Sequence, residues 1–185
     1  WHTSEDCITS YENAHKVGFK NINIDMIFGI PNQPLNQWKK DLNHVVDLSP
    51  EHISAYSLTV EKKTPLYGQV HSGKIIMPDE RIDIDMYSYT MDILNNGEYM
   101  QYEISNYSKK NKICKHNLHY WRREPYLAFG PSAHGFYNET RYWNVRDLNK
   151  YMTMLNDNKL PIDSSEDLND ENIFNEIILN GLRTS

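Results

Sequence analysis

The chain has 185 residues, 39% hydrophobic and 24% charged, which is enough apolar content for one core-bearing domain or slightly more. A mean hydropathy of −0.72, with no apolar run near the ~20 residues of a membrane helix, excludes a helical membrane span. The net charge of −6 and pI of about 5.7 argue against nucleic acid as the main partner, because phosphate backbones call for clustered Lys and Arg. Two cysteines, Cys7 and Cys114, supply neither a disulfide framework nor a Cys-x-x-Cys zinc pair, and the expected setting is reducing and cytoplasmic.

Trp1-His2-Thr3 carries no initiator Met and no basic-then-apolar leader pattern, so no signal peptide is expected. These residues read as a processed terminus, a cloning remnant or a cut through a longer chain, and the motifs below favour the cut. Thr3 or Ser4 is an N-cap, with Glu5 and Asp6 suiting a helix start. Ile8, Tyr11 and Ala14 form its stripe, and Gly18 ends it. Asn21 to Gly29 alternates as a strand: Ile22, Ile24, Met26 and Phe28 share one face, and Asn23, Asp25 and Ile27 the other. Past Pro31 and Pro34, the residues Leu35, Trp38, Leu42 and Val45 fall at helical spacing. Pro50 closes that helix, and Ile53 to Val60 reads as a second strand. Strand, helix and strand in this span make a βαβ unit with parallel strands.

A further helix is predicted over 79–96 on Ile82, Met86, Tyr89 and Ile93, ended by Gly97. Tyr99 to Tyr107 is a third strand candidate. Residues 108–144 show aromatics, histidines and Gly-Pro pairs without a clear period. Two helices close the chain, over 146–156 and 170–182. The expected division is a first domain of residues 1–110 and a smaller, mainly helical one of residues 111–185.

Four places hold candidate chemistry. Asp25 falls near the C-terminal end of its strand, the end that forms the active face of parallel α/β folds. An acid there binds a ligand's hydroxyl or ammonium group, or only caps the following loop. Ser57, Thr59 and Glu61 are expected on one face at the end of the second strand, either as the polar lining of a cofactor site or as a half-exposed strand. The run Cys114-Lys115-His116-Asn117-Leu118-His119-Tyr120-Trp121, with His134 further on, combines imidazoles able to bind iron with rings able to cover a macrocycle. A hydrogen-bonded core histidine is the alternative. Gly130-Pro131-Ser132-Ala133-His134-Gly135 reads as a loop whose backbone closely approaches either a ligand or a neighbouring strand.

Several segments together resemble a known family. Asn23-Ile24-Asp25-Met26-Ile27-Phe28-Gly29-Ile30-Pro31, His52-Ile53-Ser54-Ala55-Tyr56-Ser57-Leu58, Tyr102-Glu103-Ile104-Ser105-Asn106, Gly130-Pro131-Ser132-Ala133-His134 and Trp143-Asn144-Val145-Arg146-Asp147-Leu148 match, in order, the oxygen-independent coproporphyrinogen III oxidase-like radical SAM proteins. His116-Asn117-Leu118-His119-Tyr120-Trp121 resembles the His-Asn-x-x-Tyr-Trp signature of the haem-chaperone branch.

The resemblance implies an α/β fold: the later βα units of a partial (βα)6 barrel, followed by a smaller C-terminal domain. It also implies a 4Fe-4S cluster and S-adenosylmethionine (SAM) in the whole protein. By position, Asp25 matches a SAM-contacting acid, while Thr59 and His134 align with SAM-lining positions. His116, Tyr120 and Trp121 fall in the haem-associated signature. Pro34 departs from the family's usual Thr ahead of the helix and removes a hydroxyl cap. The cluster's three closely spaced cysteines are absent, so the cluster loop is expected upstream of Trp1 and this chain is expected to be inactive alone.

The reading that follows is part of a haem chaperone that binds haem and hands it to acceptor proteins. A second is part of an enzyme that oxidatively decarboxylates coproporphyrinogen III. A third is a cofactor-free α/β interaction domain.

Overall fold

The computed structural model describes residues 3–184, so Trp1 and His2 at the start lie outside the described residues. The chain divides into two units, one running to Cys114 and one from Lys115 onward.

In the first unit, α1 (Ser4–Lys16) opens on a reciprocal cap. Thr3 accepts from the Asp6 backbone N–H through its hydroxyl, and the Asp6 carboxylate accepts from the Thr3 backbone N–H at 2.7 Å. There follow β1 (Asn23–Phe28), α2 (Leu35–Leu48) and β2 (His52–Ser57), with Asn23 opposite His52 and Phe28 opposite Ser57 in a parallel pair. This is the expected βαβ unit. Pro34 at the N-cap of α2 gives no side-chain cap, as its lack of a hydroxyl dictates. The helix ends at Ser49 in the left-handed conformation, just before Pro50.

A short α3 (Pro65–His71), capped by Thr64, precedes α4 (Glu80–Asn96), which is capped by Asp79. The single strand expected over Tyr99–Tyr107 is instead a hairpin of β3 (Met100–Glu103) and β4 (Asn106–Ser108), turning at Ile104 and Ser105. The hairpin inserts so that the sheet order is β1-β2-β4-β3, with β4 antiparallel to β2.

Helices α2 and α4 cover one face of this sheet, where Phe28, Ile53 and Tyr107 meet Trp38, Leu42, Met86 and Leu94. Trp38 is 1% exposed, and its indole N–H is shared between the Thr90 hydroxyl at 3.0 Å and the Met86 carbonyl at 3.2 Å. That pairing lets the largest side chain of the core be buried without an orphaned donor.

The second unit contains α5 (Lys115–Trp121), β5 (His134–Tyr137), β6 (Thr140–Asn144), α6 (Leu148–Asn156), β7 (Ile162–Asp167) and α7 (Asp170–Gly181). The strands form an antiparallel sheet in the order β5-β6-β7. Asp147 and Asn169 cap α6 and α7, accepting from the backbone N–H of Lys150 and Asn172. The sheet escapes the sequence pattern for two physical reasons. The β5–β6 turn places Asn138 and Glu139 at positive φ, doing with a Glu what the usual Asn-Gly signal does. Strand β7 is exposed along its whole length and reads as a polar loop.

Candidate functional site

The uncovered face of the first unit's sheet is polar because strand alternation makes it so. Asn23, Asp25 and Ile27 of β1 lie opposite the core face, and on β2 the same parity selects His52, Ser54 and Tyr56. Asn23, Asp25, His52 and Ser54 are joined by hydrogen bonds. Asn23 Nδ2 donates to Asp25 Oδ1 at 2.6 Å, and Asn23 Oδ1 lies 2.6 Å from His52 Nδ1 and 3.2 Å from the Ser54 hydroxyl. His52 Nε2 reaches the Tyr102 hydroxyl at 2.7 Å. His52 is 3% exposed, and burial holds its imidazole below the ordinary histidine range, against the opposing pull of the Asp25 charge.

Asp25 is exposed and sits third in a strand of six, in mid-strand rather than near its C-terminal end. Thr59 is also exposed but lies two residues beyond the end of β2, so the shared face expected for Ser57, Thr59 and Glu61 does not form. The strand ends at Ser57, whose parity puts it on the helix-covered side. There its hydroxyl meets the Asp83 carboxylate of α4, 3.0 Å from each oxygen. The inward residues of β2 are thus the even-numbered His52, Ser54 and Tyr56. The alternation in β1 carries this information, and the odd-numbered face expected for the end of β2 is the helix-covered one.

In the second unit, Tyr120 and Trp121 at the end of α5 line a cleft of about 190 Å³ with Tyr126, Phe136, Arg141 and Glu176. Tyr120 packs edge-on against Tyr126 with centroids 4.6 Å apart, and Arg183 lies over the Trp121 ring at 4.6 Å. His116 sits one turn before Tyr120 on the exposed side of α5, and its Nε2 lies 2.9 Å from the Tyr120 hydroxyl. His119 is engaged through Nδ1 with the Glu124 carboxylate.

His134 opens β5, is exposed, and lies against Trp143 with ring centroids 5.8 Å apart. The Gly130–Gly135 loop is fastened to its own unit. Asn144 donates to the Gly130 carbonyl at 3.0 Å, and Gly130 N–H donates to the Tyr151 hydroxyl. At Gly135 the close neighbour is the Tyr142 ring of β6. Cys7 and Cys114 are free thiols. Among the described residues, no three His, Cys, Asp or Glu side chains are grouped to hold a metal.

No family model matches the chain. It is 36% identical to the heme chaperone HemW of Bacillus subtilis over 182 residues, 98% of this chain and 48% of that protein. Against the heme chaperone HemW of Lactococcus lactis it is 35% identical over 82% of this chain and 40% of that one. Against the mitochondrial radical S-adenosyl methionine domain-containing protein 1 of Danio rerio it is 34% identical over 72% of this chain and 30% of that one. Among solved structures, the coproporphyrinogen III oxidase HemN of Escherichia coli, a radical SAM enzyme, superposes with a TM-score of 0.76 at 17% identity. That match covers 100% of this chain and 45% of the other.

The chain belongs to the radical SAM family that includes the heme chaperone HemW and the radical S-adenosyl methionine domain-containing protein 1. Within it, the sequence similarity runs to the haem-chaperone branch. The chain spans about half, or less, of the length of the curated relatives it matches. No described helix is long and apolar enough to cross a membrane.

Proposed function

We propose that this chain is part of a haem chaperone that binds haem as cargo and passes it to acceptor proteins in the cytoplasm. The carrying observation is the similarity to HemW proteins through the whole chain, together with His116, Tyr120 and Trp121 on one short helix beside an aromatic cleft. The cleft is smaller than the ~300–1,000 Å³ of pockets that enclose drug-sized ligands, so a porphyrin would lie against it rather than inside it. His116 would bind the iron through Nδ1 while donating its Nε2–H to the Tyr120 hydroxyl, the outer-shell bond that fixes a ligating imidazole. His119 is the weaker candidate because Glu124 already holds it.

SAM, when bound, brings an ammonium group and hydroxyls, and the exposed Asp25 carboxylate on the polar sheet face suits them. Thr59, exposed past β2, and His134, exposed at the start of β5, are the further proposed SAM positions. Cys7 and Cys114 cannot supply the three thiolates of a SAM-binding 4Fe-4S cluster, and among the described residues no His, Cys, Asp and Glu group is placed to hold a metal, so the cluster ligands would come from another part of the full-length protein. The likeness to HemN, at 17% identity, speaks for the fold alone and lends no residue to the oxidase reading.

The test is a titration of the full-length protein with hemin, followed at the Soret band, in single Ala variants of Cys114, His116 and His119. Loss of the band in His116→Ala alone, with unchanged circular dichroism, supports the assignment. Loss in Cys114→Ala alone makes the thiolate the ligand, and parental binding by all three removes haem from this segment.

A further inference from the structure

The hydrogen-bond chain on the sheet's polar face has a direction, and that direction can be worked out from one end. A carboxylate only accepts, so the Asn23 amide nitrogen is the group facing Asp25, and Asn23 Oδ1 faces His52 and Ser54. An amide oxygen also only accepts. His52 therefore carries its proton on Nδ1, and its bare Nε2 accepts from the Tyr102 hydroxyl. Ser54 donates to the same Asn23 oxygen. The donors run from Tyr102 through His52 and Asn23 to Asp25, all pointing the same way.

Two observations give this order a purpose. His52, Ser54 and Tyr102 are buried, at 3%, 1% and 6% exposure, whereas Asn23 and Asp25 at the end of the chain are exposed. Aligned hydrogen bonds polarise one another, and most strongly away from water. The described bonds engage only Oδ1 of Asp25, so Oδ2 remains for a ligand. An exposed aspartate on a strand would otherwise lose rotamer freedom only when a ligand arrives, which weakens binding.

We infer that Tyr102, His52 and Asn23 are positioning residues that pre-set the Asp25 carboxylate for a ligand bearing ammonium or hydroxyl groups. The inference rests on the proposed reading of Asp25 as a contact to SAM. Protonated His52 would present a second N–H to Tyr102 and reverse that link, and burial keeps it neutral.

SAM affinity of the full-length protein, measured by titration calorimetry, separates the two readings. Asp25→Ala is expected to weaken SAM at least tenfold, and His52→Phe by about 3–10-fold, the worth of one modest hydrogen bond. His52→Gln, which keeps a donor and an acceptor, is expected to restore most of that loss. The Asp25→Ala/His52→Phe double variant is expected to bind no more weakly than Asp25→Ala alone, since His52 acts only through Asp25. Additive losses, or a His52→Phe protein that folds and binds SAM like the parent while Asp25→Ala does not, overturn the relay and leave the Asp25 reading standing. Unchanged affinity in Asp25→Ala overturns the reading itself, and the relay with it. Should His52→Phe fail to fold, Tyr102→Phe removes one hydroxyl from the chain's far end. It is expected to cost about two- to threefold, and only when Asp25 is present.

Discussion

In the first unit, two helices lie across a four-stranded sheet and bury Trp38, Leu42, Ile53, Met86, Leu94 and Tyr107 in one cluster. In the second, Phe136, Val145 and Leu168 are the buried hydrophobics among the described residues, while Phe174, Ile177, Leu179 and Leu182 of the last helical segment stay exposed. What joins the second unit's parts is polar. Arg123 pairs with Glu139 and Glu176, Arg141 pairs with Glu176, and Asn144 holds the Gly130 loop. One region is thus stabilised by area removed from water, the other mainly by directed contacts.

Substitutions of comparable size should separate the two regions. Trp38→Ala removes the largest buried side chain together with its indole N–H bonds to Thr90 and Met86, and should destabilise the first unit by about 3–5 kcal/mol in urea unfolding followed by circular dichroism. Ile177→Ala, on a side chain 57% exposed, should stay within about 0.5 kcal/mol. A large loss from Ile177→Ala would mean the second unit has an apolar core after all.

The next effect is steric and sharpens the view of the second unit as closely fitted despite its small core. A Cβ at Gly135 would lie 2.3 Å from the Tyr142 ring, and that ring is held by the Ala128 N–H donated to its hydroxyl. Gly135→Ala should cost about 1–3 kcal/mol. Thermal unfolding indistinguishable from the parent would show that Tyr142 swings away freely.

Smaller again is the ionic contribution. Glu176 is the shared acceptor of two arginines, with its side chain 18% exposed and that of Arg123 12% exposed. Glu176→Gln keeps the shape and removes the charge, and should cost about 1–2 kcal/mol at low salt, less at 1 M salt. A cost independent of salt would assign the effect to packing.

The same contrast explains what the sequence made legible. Where helices pack on a sheet, periodicity is imposed by burial, and the βαβ unit and Asp79–Gly97 are readable from it. The two closing helices of the second unit are readable from their apolar spacing, although none of their residues is buried. The β3–β4 hairpin is not legible, because Ile104-Ser105 lacks the Asn-Gly or other glycine-containing pair that marks a two-residue turn, and β4 is only three residues long. The sheet of the second unit was hidden by its Asn138-Glu139 turn and by an exposed β7. At the site, alternation alone sets Asn23 and Asp25 on one face, but their partners on β2 are not legible from it. His52 looks like the polar edge of a loop until parallel pairing places it opposite Asn23.

That buried histidine gives the smallest and most specific expectation, since it titrates in the first unit's polar layer. Burial lowers the folded-state affinity of His52 for a proton, with the Asp25 charge opposing, while in the unfolded chain the ring titrates near its ordinary value of about 6.5. Below that value the unfolded chain takes up a proton that the folded one resists. The unfolded state then binds more protons, and stability rises with pH across the window between the lowered folded value and about 6.5. The first unit should therefore lose stability as pH falls from 7 toward 5, and His52→Gln, which cannot titrate, should flatten that part of the profile. Denaturant midpoints taken at half-unit pH steps would show it. If the variant keeps the parent's slope, His52 takes up its proton as readily folded as unfolded, and the polar layer beneath Asp25 is wetter than its burial indicates.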